Sequence, residues 1–443
     1  MTRKHSRTSI SSTGNSRRGF LKLAALSGLA VAAPFAIRRA AAELTAYDGP
    51  YFVLIHASGG WDPVYLCDPK TNPELNRLYG APASAGSIKY APVPISAAAL
   101  GLGADADPYL MSNQAFFEKY AAKLTVINGI DTSTNNHDSG TRTTWSGQIQ
   151  EGHPSFGALA AAIRSPDNPL AYISSGGYDA TQGIVPLTRM GDLDTLQKVA
   201  FPDIISPDDP ESGRYLPKSR MDRIREANTE RLGAQLEGQR LPRAKTAMNE
   251  LFLARADDNA LAGLSFPDDL VTLPGYELSD LQSMMQQSQL ALSAFQAGLA
   301  VSVNLNLGGF DTHGNHDRDQ IRQLAKLLYG VDFLMSEAEK LGLGGQLTVI
   351  VSSDFARGPG YNGGDEYAGK DHWPITSAMM MGAGIPGDRL IGSTDDQQYA
   401  QPHKGATLTP AHVHRSLRAL AGISDHELAL RFPLAGEDLG LFS

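Results

Sequence analysis

Short, mostly apolar runs, each followed by glycines and polar residues, recur along the chain from residue 51 onward. Runs of this length between turn-forming residues are typical of strands buried in a parallel sheet. They lie at residues 51–55, 124–127, 170–173, 301–307, 346–351 and 376–381. Helical spacing of apolar residues is found at 116–123, 318–340 and 409–421. The pattern predicts an α/β fold with a mostly parallel central sheet.

Residues from about 192 to 300 differ in character, because they are rich in Arg, Glu, Gln, Ala and Leu with helical spacing and few glycines. We interpret this stretch as a helical insertion into one α/β domain that spans residues 43–443. A separate helical domain is the alternative. It is disfavoured because the strand-and-helix pattern resumes after residue 300.

The first 42 residues form a basic segment that carries eight Lys or Arg and no acid. Residues 16–22 (SRRGFLK) match the twin-arginine export signal, which a receptor reads as an address. The apolar run at 23–37 is too short for a membrane span, and small residues at 40–42 suit cleavage. We predict cleavage near Ala42, export of the folded protein by the twin-arginine translocase to the periplasm or beyond, and no stable membrane span in the mature chain. A retained N-terminal anchor is the alternative.

Removal of this segment leaves an acidic protein with a single cysteine. Lys plus Arg falls from 38 to 30 while Asp plus Glu stays at 47, so the formal charge changes from −9 to −17. Such a surface repels nucleic acid and anionic lipid, and we predict neither as a partner. Cys67 stands alone, which excludes an internal disulfide and a thiolate metal cluster.

Residues 308–317, with the sequence GGFDTHGNHD, carry the densest candidate chemistry. They connect a predicted strand to a predicted helix, so Asp311 and His313 lie at the carboxyl end of a strand, where open α/β sheets place their sites. Carboxylates and imidazoles this close together are typical of a metal site. The alternative is a helix N-terminus capped by Asp317, with incidental histidines nearby.

Asp62 and Asp354 also follow predicted strands, and His372 lies in the loop after Asp354. Because the carboxyl ends of parallel strands share one edge of a sheet, side chains far apart in sequence can converge there. Without a thiolate, these carboxylates and imidazoles suit zinc, manganese, magnesium or calcium, and their spacing does not choose among the four.

The loop at residues 128–147 follows another predicted strand and is dense in polar side chains. Its hydroxyls, imidazole, carboxylate and guanidinium are the groups that a nucleophile-and-anion site needs, and Ser139 and Arg142 are among them. A long solvated loop is the alternative, and Ser139 could equally cap the helix that follows.

In their order along the chain these groups resemble the alkaline-phosphatase superfamily, in which an aspartate ends the first strand, a Ser or Thr nucleophile follows in a loop, and Asp and His ligands come late. More closely, residues 43–443 are similar to the exported domain-of-unknown-function family 1501. The shared motifs are the twin arginines, GGWD, GGFDTH, SDF and GKDH, at residues 17–18, 59–62, 308–313, 353–355 and 369–372. The resemblance implies an alkaline-phosphatase-like fold, with helices on both faces of the sheet.

The resemblance also implies roles for individual residues. Ser139 would attack a phosphate or sulfate ester with its hydroxyl acidified by a divalent metal, and Arg142 would hold the anion. The substrate would be a small anionic ester or a polysaccharide. The implied metal ligands are Asp62, Asp311, His313, Asp354 and His372.

Two departures from the two-metal phosphatases favour one metal site over two. Phe355 stands where those enzymes have a histidine directly after the aspartate, and Asn315 stands at a later ligand position. A phenyl ring cannot coordinate a metal. The alternative function is therefore a non-catalytic relative with a degenerate metal site that binds an anion, a polysaccharide or a partner protein. Four histidines are expected to form structural hydrogen bonds or to support a metal ligand without binding the metal: His56, His137, His153 and His316.

Overall fold

The computed structural model describes residues 47–166, 168, 170–189, 203–206, 212–242, 244–245, 248 and 270–443, so the predicted leader lies outside the described residues. Continuous apolar runs form the central strands, as their burial requires. The strands are β1 (Tyr51–Ala57), β2 (Ala83–Ala85), β3 (Ile88–Tyr90), β4 (Leu124–Asp131), β5 (Tyr172–Ser174), β6 (Thr188–Arg189), β7 (Ser302–Leu307), β8 (Leu347–Ser353), β9 (Ala356–Tyr361), β10 (Lys370–Trp373), β11 (Ile375–Gly382) and β12 (Arg389–Ile391).

Eight of these strands form one sheet in the order β12-β4-β11-β8-β1-β7-β5-β6. Among them β11 runs antiparallel to both of its neighbours, while the other seven share one direction. The predicted mostly parallel α/β sheet is confirmed. Because β11 is reversed, the residues just before it lie at the edge where the other seven strands end.

The helices are α1 (Asn113–Tyr120), α2 (His137–Ser146), α3 (Phe156–Arg164), α4 (Lys218–Gly238), α5 (Ser279–Gln296), α6 (His316–Lys340), α7 (Pro410–Leu420) and α8 (Glu427–Leu430). They cover both faces of the sheet, as the side chains of β1 show. Successive side chains of a strand point to opposite faces. Val53 and Ile55 belong to one core with α1, α5 and α6, whereas Phe52 and Leu54 belong to a second core with α2, α3 and α7. No described helix is long and apolar enough to cross a membrane.

The predicted helical insertion at about 192–300 falls partly outside the described residues. Of its described helices, α4 is mostly exposed. In contrast, α5 buries Leu281, Met284 and Phe295 in the same core as β1. At its C-terminal end this stretch is therefore part of the layer that covers the sheet.

Candidate metal centre

Four side chains meet at the edge where the parallel strands end, and we call them the Asp311 cluster: His137, Asp311, His313 and His372. His137 is the first residue of α2, after β4, while Asp311 and His313 follow β7. His372 lies on β10, which forms an antiparallel hairpin with β9, and it pairs with Arg357 across that hairpin. Three separate segments of the chain thus supply one constellation of titratable groups.

Asp311 is the common contact of the cluster. Its Oδ1 accepts a hydrogen bond from Arg357 at 2.6 Å. The same oxygen lies 3.1 Å from Nε2 of both His313 and His372, and Oδ2 lies 3.5 Å from Nε2 of His137. Burial alone would raise the pKa of Asp311, but the hydrogen bonds and charges of its neighbours, Arg357 foremost, lower it to about 2. Asp311 is therefore an anion at neutral pH.

Each imidazole of the cluster is held through Nδ1 by an oxygen that can only accept. These acceptors are the Asn135 carbonyl for His372 at 2.8 Å, the Asp371 carboxylate for His313 at 3.2 Å, and the Asp354 carboxylate for His137 at 2.5 Å. Hydrogen-bond partners of this kind place a proton on Nδ1, so that in the neutral ring the lone pair is on Nε2. An imidazole anchored in this way is the form that binds metals through Nε2.

The lone pairs of His313 and His372 face each other, with the two Nε2 atoms 3.0 Å apart and Oδ1 of Asp311 beside both. Three such atoms repel one another unless a positive charge lies among them. His137, Asp311 and His372 form an overlapping set, with ligand atoms all within 4.8 Å of one another. One carboxylate with imidazoles is a donor set that fits a divalent cation.

Asp354, a predicted ligand, lies behind the cluster. Its Oδ1 accepts from the backbone amides of Gly59 at 3.0 Å and Gly60 at 2.8 Å, and its Oδ2 bonds to His137. Burial alone would raise the pKa of Asp354, but the hydrogen bonds that it accepts from His137, Ser353 and the amide of Gly59 contribute to a net lowering. The structure therefore places Asp354 as the carboxylate that orients His137.

The turn that binds Asp354 depends on glycine. Gly59 has a φ of +120°, and a Cβ there would lie 2.4 Å from the backbone nitrogen of Asp311. We expect Gly59→Ala to lower the free energy of unfolding by at least about 1–3 kcal/mol, from backbone strain alone. Urea denaturation measures the loss. Gly345→Ala is the control, because a Cβ at Gly345 meets no atom within 4 Å. Equal stability of the two variants would contradict the prediction.

Asp62, another predicted ligand, belongs to a second and fully buried cluster. Its Oδ2 accepts from Nζ of Lys370 at 2.7 Å and lies 2.9 Å from Nε2 of His316, while its Oδ1 accepts from the amide of Val64 at 3.0 Å. Burial alone would raise the pKa of Asp62, but Lys370 and His316 lower it. The structure thus pairs Asp62 with an ammonium group and an imidazole instead of with Asp311.

His316, beside Asp62, is a structural histidine as expected. Its Nδ1 contacts the hydroxyl of Thr312 at 2.8 Å, and burial lowers its pKa to about 4.

Asp317, the next residue, accepts hydrogen bonds from Tyr65 and Tyr361, each at 2.6 Å. Asp317 therefore does not cap α6, which is preceded by Asn315 in a left-handed conformation.

A cleft of about 740 Å³ opens beside the Asp311 cluster, a size that suits a small ligand. His137, Asp311 and Asp354 form part of its wall. Other side chains that line it are His56, Asp138, Thr141, Arg142, Tyr178 and Asn306. Acids, imidazoles and one guanidinium therefore share a single concave surface.

A family model described as "Protein of unknown function (DUF1501)" matches residues 51–441. The chain belongs to this family. No curated protein matches it. Membership agrees with the resemblance of the sequence motifs, and it leaves the reaction open because the family description names none.

Solved structures of low sequence identity are similar to this DUF1501 chain over most of its length. Ps i-CgsB, solved with k-i-k-neocarrahexaose, is 9% identical, with 88% of this chain and 75% of that one covered and a TM-score of 0.39. A Vibrio parahaemolyticus protein in the alkaline phosphatase superfamily is 9% identical, with coverages of 88% and 73% and a TM-score of 0.35. Alkaline phosphatase from the Antarctic bacterium TAB5 is 11% identical, with coverages of 77% and 93% and a TM-score of 0.28. Because these likenesses are weak, we argue the reaction from the residues of this chain alone.

Ser139 and Arg142, the predicted catalytic residues, lie on the same helix with different surroundings. The hydroxyl of Ser139 is 2.7 Å from that of Thr134, and Ser139 is not among the residues that line the cleft. Arg142 does line the cleft, and one of its guanidinium nitrogens donates to the carbonyl of Ile149 at 2.8 Å. The structure thus brings the predicted anion-binding side chain to the cleft, and leaves the predicted nucleophile outside its lining.

Sequence reasoning gave His137 only a structural or supporting role and did not name Arg357, although both belong to the site. His137 follows a strand in the same loop as Ser139, so the rule for strand ends would have included it. Arg357 gives no comparable signal, because only the hairpin turns it toward Asp311.

Phe355 packs against His137 and His372, and its ring centroid lies 4.9 Å and 4.4 Å from theirs. It therefore supports two imidazoles of the cluster without coordinating anything itself.

Proposed function

We propose that this protein is an exported, metal-dependent hydrolase of phosphate or sulfate esters. The observation that supports the proposal is the shared orientation of three imidazoles, each anchored at Nδ1 and each presenting Nε2 to the ionised carboxylate of Asp311. Zinc, manganese, magnesium and calcium stay candidates, with one ion per chain. When bound, such a cation supplies Lewis acidity to an ester oxygen.

The residues of the chain bind and orient the reactants. Asp311, His313 and His372 would hold the cation, with His137 on the remaining side. Arg142 offers a guanidinium to the charged oxygens of the substrate, a pairing that is strong because both partners are ionised. Water is the second reactant, and the products are an alcohol and free phosphate or sulfate.

Metal removal and reloading test this function. We expect the mature protein, stripped with a chelator, to hydrolyse neither aryl phosphates nor aryl sulfates, and to regain activity with one of the four cations. Activity that is indifferent to cations would contradict the metal dependence. Stoichiometric metal without hydrolysis of either ester would leave the second candidate function, a binding protein for anions or polysaccharides. The placement of Ser139 outside the cleft lining favours that candidate.

Ser139→Ala separates two routes of hydrolysis. Because the Ser139 hydroxyl contacts Thr134 and the residue does not line the cleft, we expect the variant to keep most of its turnover. Steady-state kinetics with an aryl ester measure the effect. Loss of a true nucleophile costs roughly 10⁶-fold in kcat, and a fall of that order would show that Ser139 attacks the ester.

Export is proposed from the twin-arginine motif at residues 16–22. Fractionation of cells that express the full chain decides it, since protein retained in the cytoplasm would contradict export.

A further inference from the structure

His56 lines the cleft beside the Asp311 cluster, and its proton is placed differently from those of the cluster imidazoles. Trp145 lies in α2 and directs its indole nitrogen at Nδ1 of His56, at 2.9 Å. An indole N–H can only donate, so Nδ1 of His56 must accept and the ring proton must sit on Nε2. His137, His313 and His372 carry theirs on Nδ1, as their acceptors require.

The position of the His56 ring is fixed by its backbone in the sheet and by contacts with Trp145 and Gly177. His56 lies at the centre of the sheet, where its backbone pairs with Asn306 on β7 and Ser352 on β8. The indole of Trp145 meets it edge to face, with centroids 5.9 Å apart. Gly177 closes the remaining side, where a Cβ would lie 3.3 to 3.6 Å from atoms of the His56 side chain. The ring therefore cannot turn to exchange its two nitrogens without disturbing the core.

The Nε2–H of His56 has no acceptor among the residues that the structure describes, although the residue is only 3% exposed and lines the cleft. Burial lowers the pKa of His56, which keeps the ring neutral. A neutral donor beside Asp311 and Asp354 cannot bind a metal through Nε2, because that nitrogen has no lone pair to give. Its available chemistry is a hydrogen bond to an oxygen of a ligand in the cleft.

We propose that His56 is a fixed hydrogen-bond donor for a charged oxygen of the ligand, held in its Nε2–H form by Trp145. Arg142, which lines the same cleft, would supply the ionic contact. The inference rests on the proposed function in one respect, that an oxyanion binds in this cleft. It assigns His56 to recognition of the anion, and leaves metal binding to the Asp311 cluster.

Three variants test this role with inorganic phosphate as the probe. His56→Leu removes the donor, His56→Gln keeps an amide N–H of similar reach, and Trp145→Phe keeps an aromatic ring but frees Nδ1. We expect His56→Leu to weaken phosphate binding by on the order of tenfold or more, as for a lost hydrogen bond to a charged group. His56→Gln should recover part of that loss. We expect all three variants to bind the divalent cation as tightly as the wild-type protein does. Calorimetric titration of metal-free protein measures cation binding, and titration of metal-loaded protein measures phosphate binding.

Nitrogen NMR of the His56 ring supplies a readout that does not depend on turnover. We expect a proton on Nε2 in the wild-type protein and a mixture of both forms in Trp145→Phe, with weaker phosphate binding in that variant. A proton on Nδ1 in the wild-type protein, wild-type phosphate affinity in His56→Leu, or a wild-type protein that does not bind phosphate would each overturn the proposal. If the protein hydrolyses esters and His56→Leu changes neither hydrolysis nor phosphate binding, only the role of His56 is refuted. Phosphate binding that depends on His56 without any hydrolysis would refute the enzymatic function alone.

Discussion

Asp311→Asn is expected to weaken binding of the divalent cation by more than about 100-fold and to abolish hydrolysis of aryl esters. Removing an outer-shell partner of a metal ligand typically costs 10- to 100-fold, and loss of a ligand charge should exceed that. The substitution keeps the shape of the side chain but removes the anion that three Nε2 atoms face. Calorimetric titration of chelator-treated protein measures the affinity, and circular dichroism checks the fold.

Asp371→Asn is the matched control for this experiment. Asp371 contacts Nδ1 of His313 at 3.2 Å and has a side chain that is 79% exposed, so it only orients a ligand. We expect its loss to weaken the metal by about tenfold, at the lower end for an outer-shell partner. Wild-type metal affinity in Asp311→Asn, or a larger loss in Asp371→Asn, would contradict the assignment of Asp311 as the central ligand.

Lys370→Met is expected to lower the free energy of unfolding by about 3–5 kcal/mol, the usual cost of leaving one partner of a buried ion pair alone. Lys370 and Asp62 are both fully buried, with Nζ 2.7 Å from Oδ2. Methionine preserves much of the length of the side chain but leaves the Asp62 carboxylate without its compensating charge. It also deprives the carbonyl of Leu75 of a donor at 2.6 Å. Guanidinium denaturation measures the change.

Two further variants show whether an uncompensated charge is the cause. Adding Asp62→Asn to Lys370→Met should restore part of the lost stability, because no isolated charge then remains in the core. Lys340→Met removes an exposed lysine whose pairing with Glu337 is solvated, so its effect should stay within about 1 kcal/mol. Equal effects of Lys370→Met and Lys340→Met would contradict a stabilising role for the buried pair.

The sheet could be predicted from sequence because its central strands are continuous apolar runs. The direction of β11 could not. Its sequence resembles that of the parallel strands, and only its pairing with β4 and β8 shows that it runs the other way. That reversal brings His372, just before β11, to the same edge as Asp311. Sequence reasoning placed His372 there because it lies in the loop after Asp354, whereas the strand direction is the physical cause.

The residues of the candidate site that follow strand ends could be predicted from the sequence. Which of them would instead join a buried ion pair could not. Asp62 and Asp311 look alike in sequence, since each follows a strand and a pair of glycines. They differ because the ammonium of Lys370 reaches Asp62, while the register of the hairpin shifts between Lys370 and His372, and His372 contacts Asp311. Lys370 and His372 are two positions apart and contribute to different clusters, which their spacing in the sequence does not predict.

Anomalous diffraction at the absorption edge of zinc or manganese, from crystals loaded with one of these two candidate cations, tests the metal centre most directly. We predict one peak about 2 Å from a carboxylate oxygen of Asp311 and from Nε2 of His372, with Nε2 of His313 or His137 as a further ligand. A peak beside Asp62, or a fully loaded protein with no peak at the Asp311 cluster, would contradict the assignment.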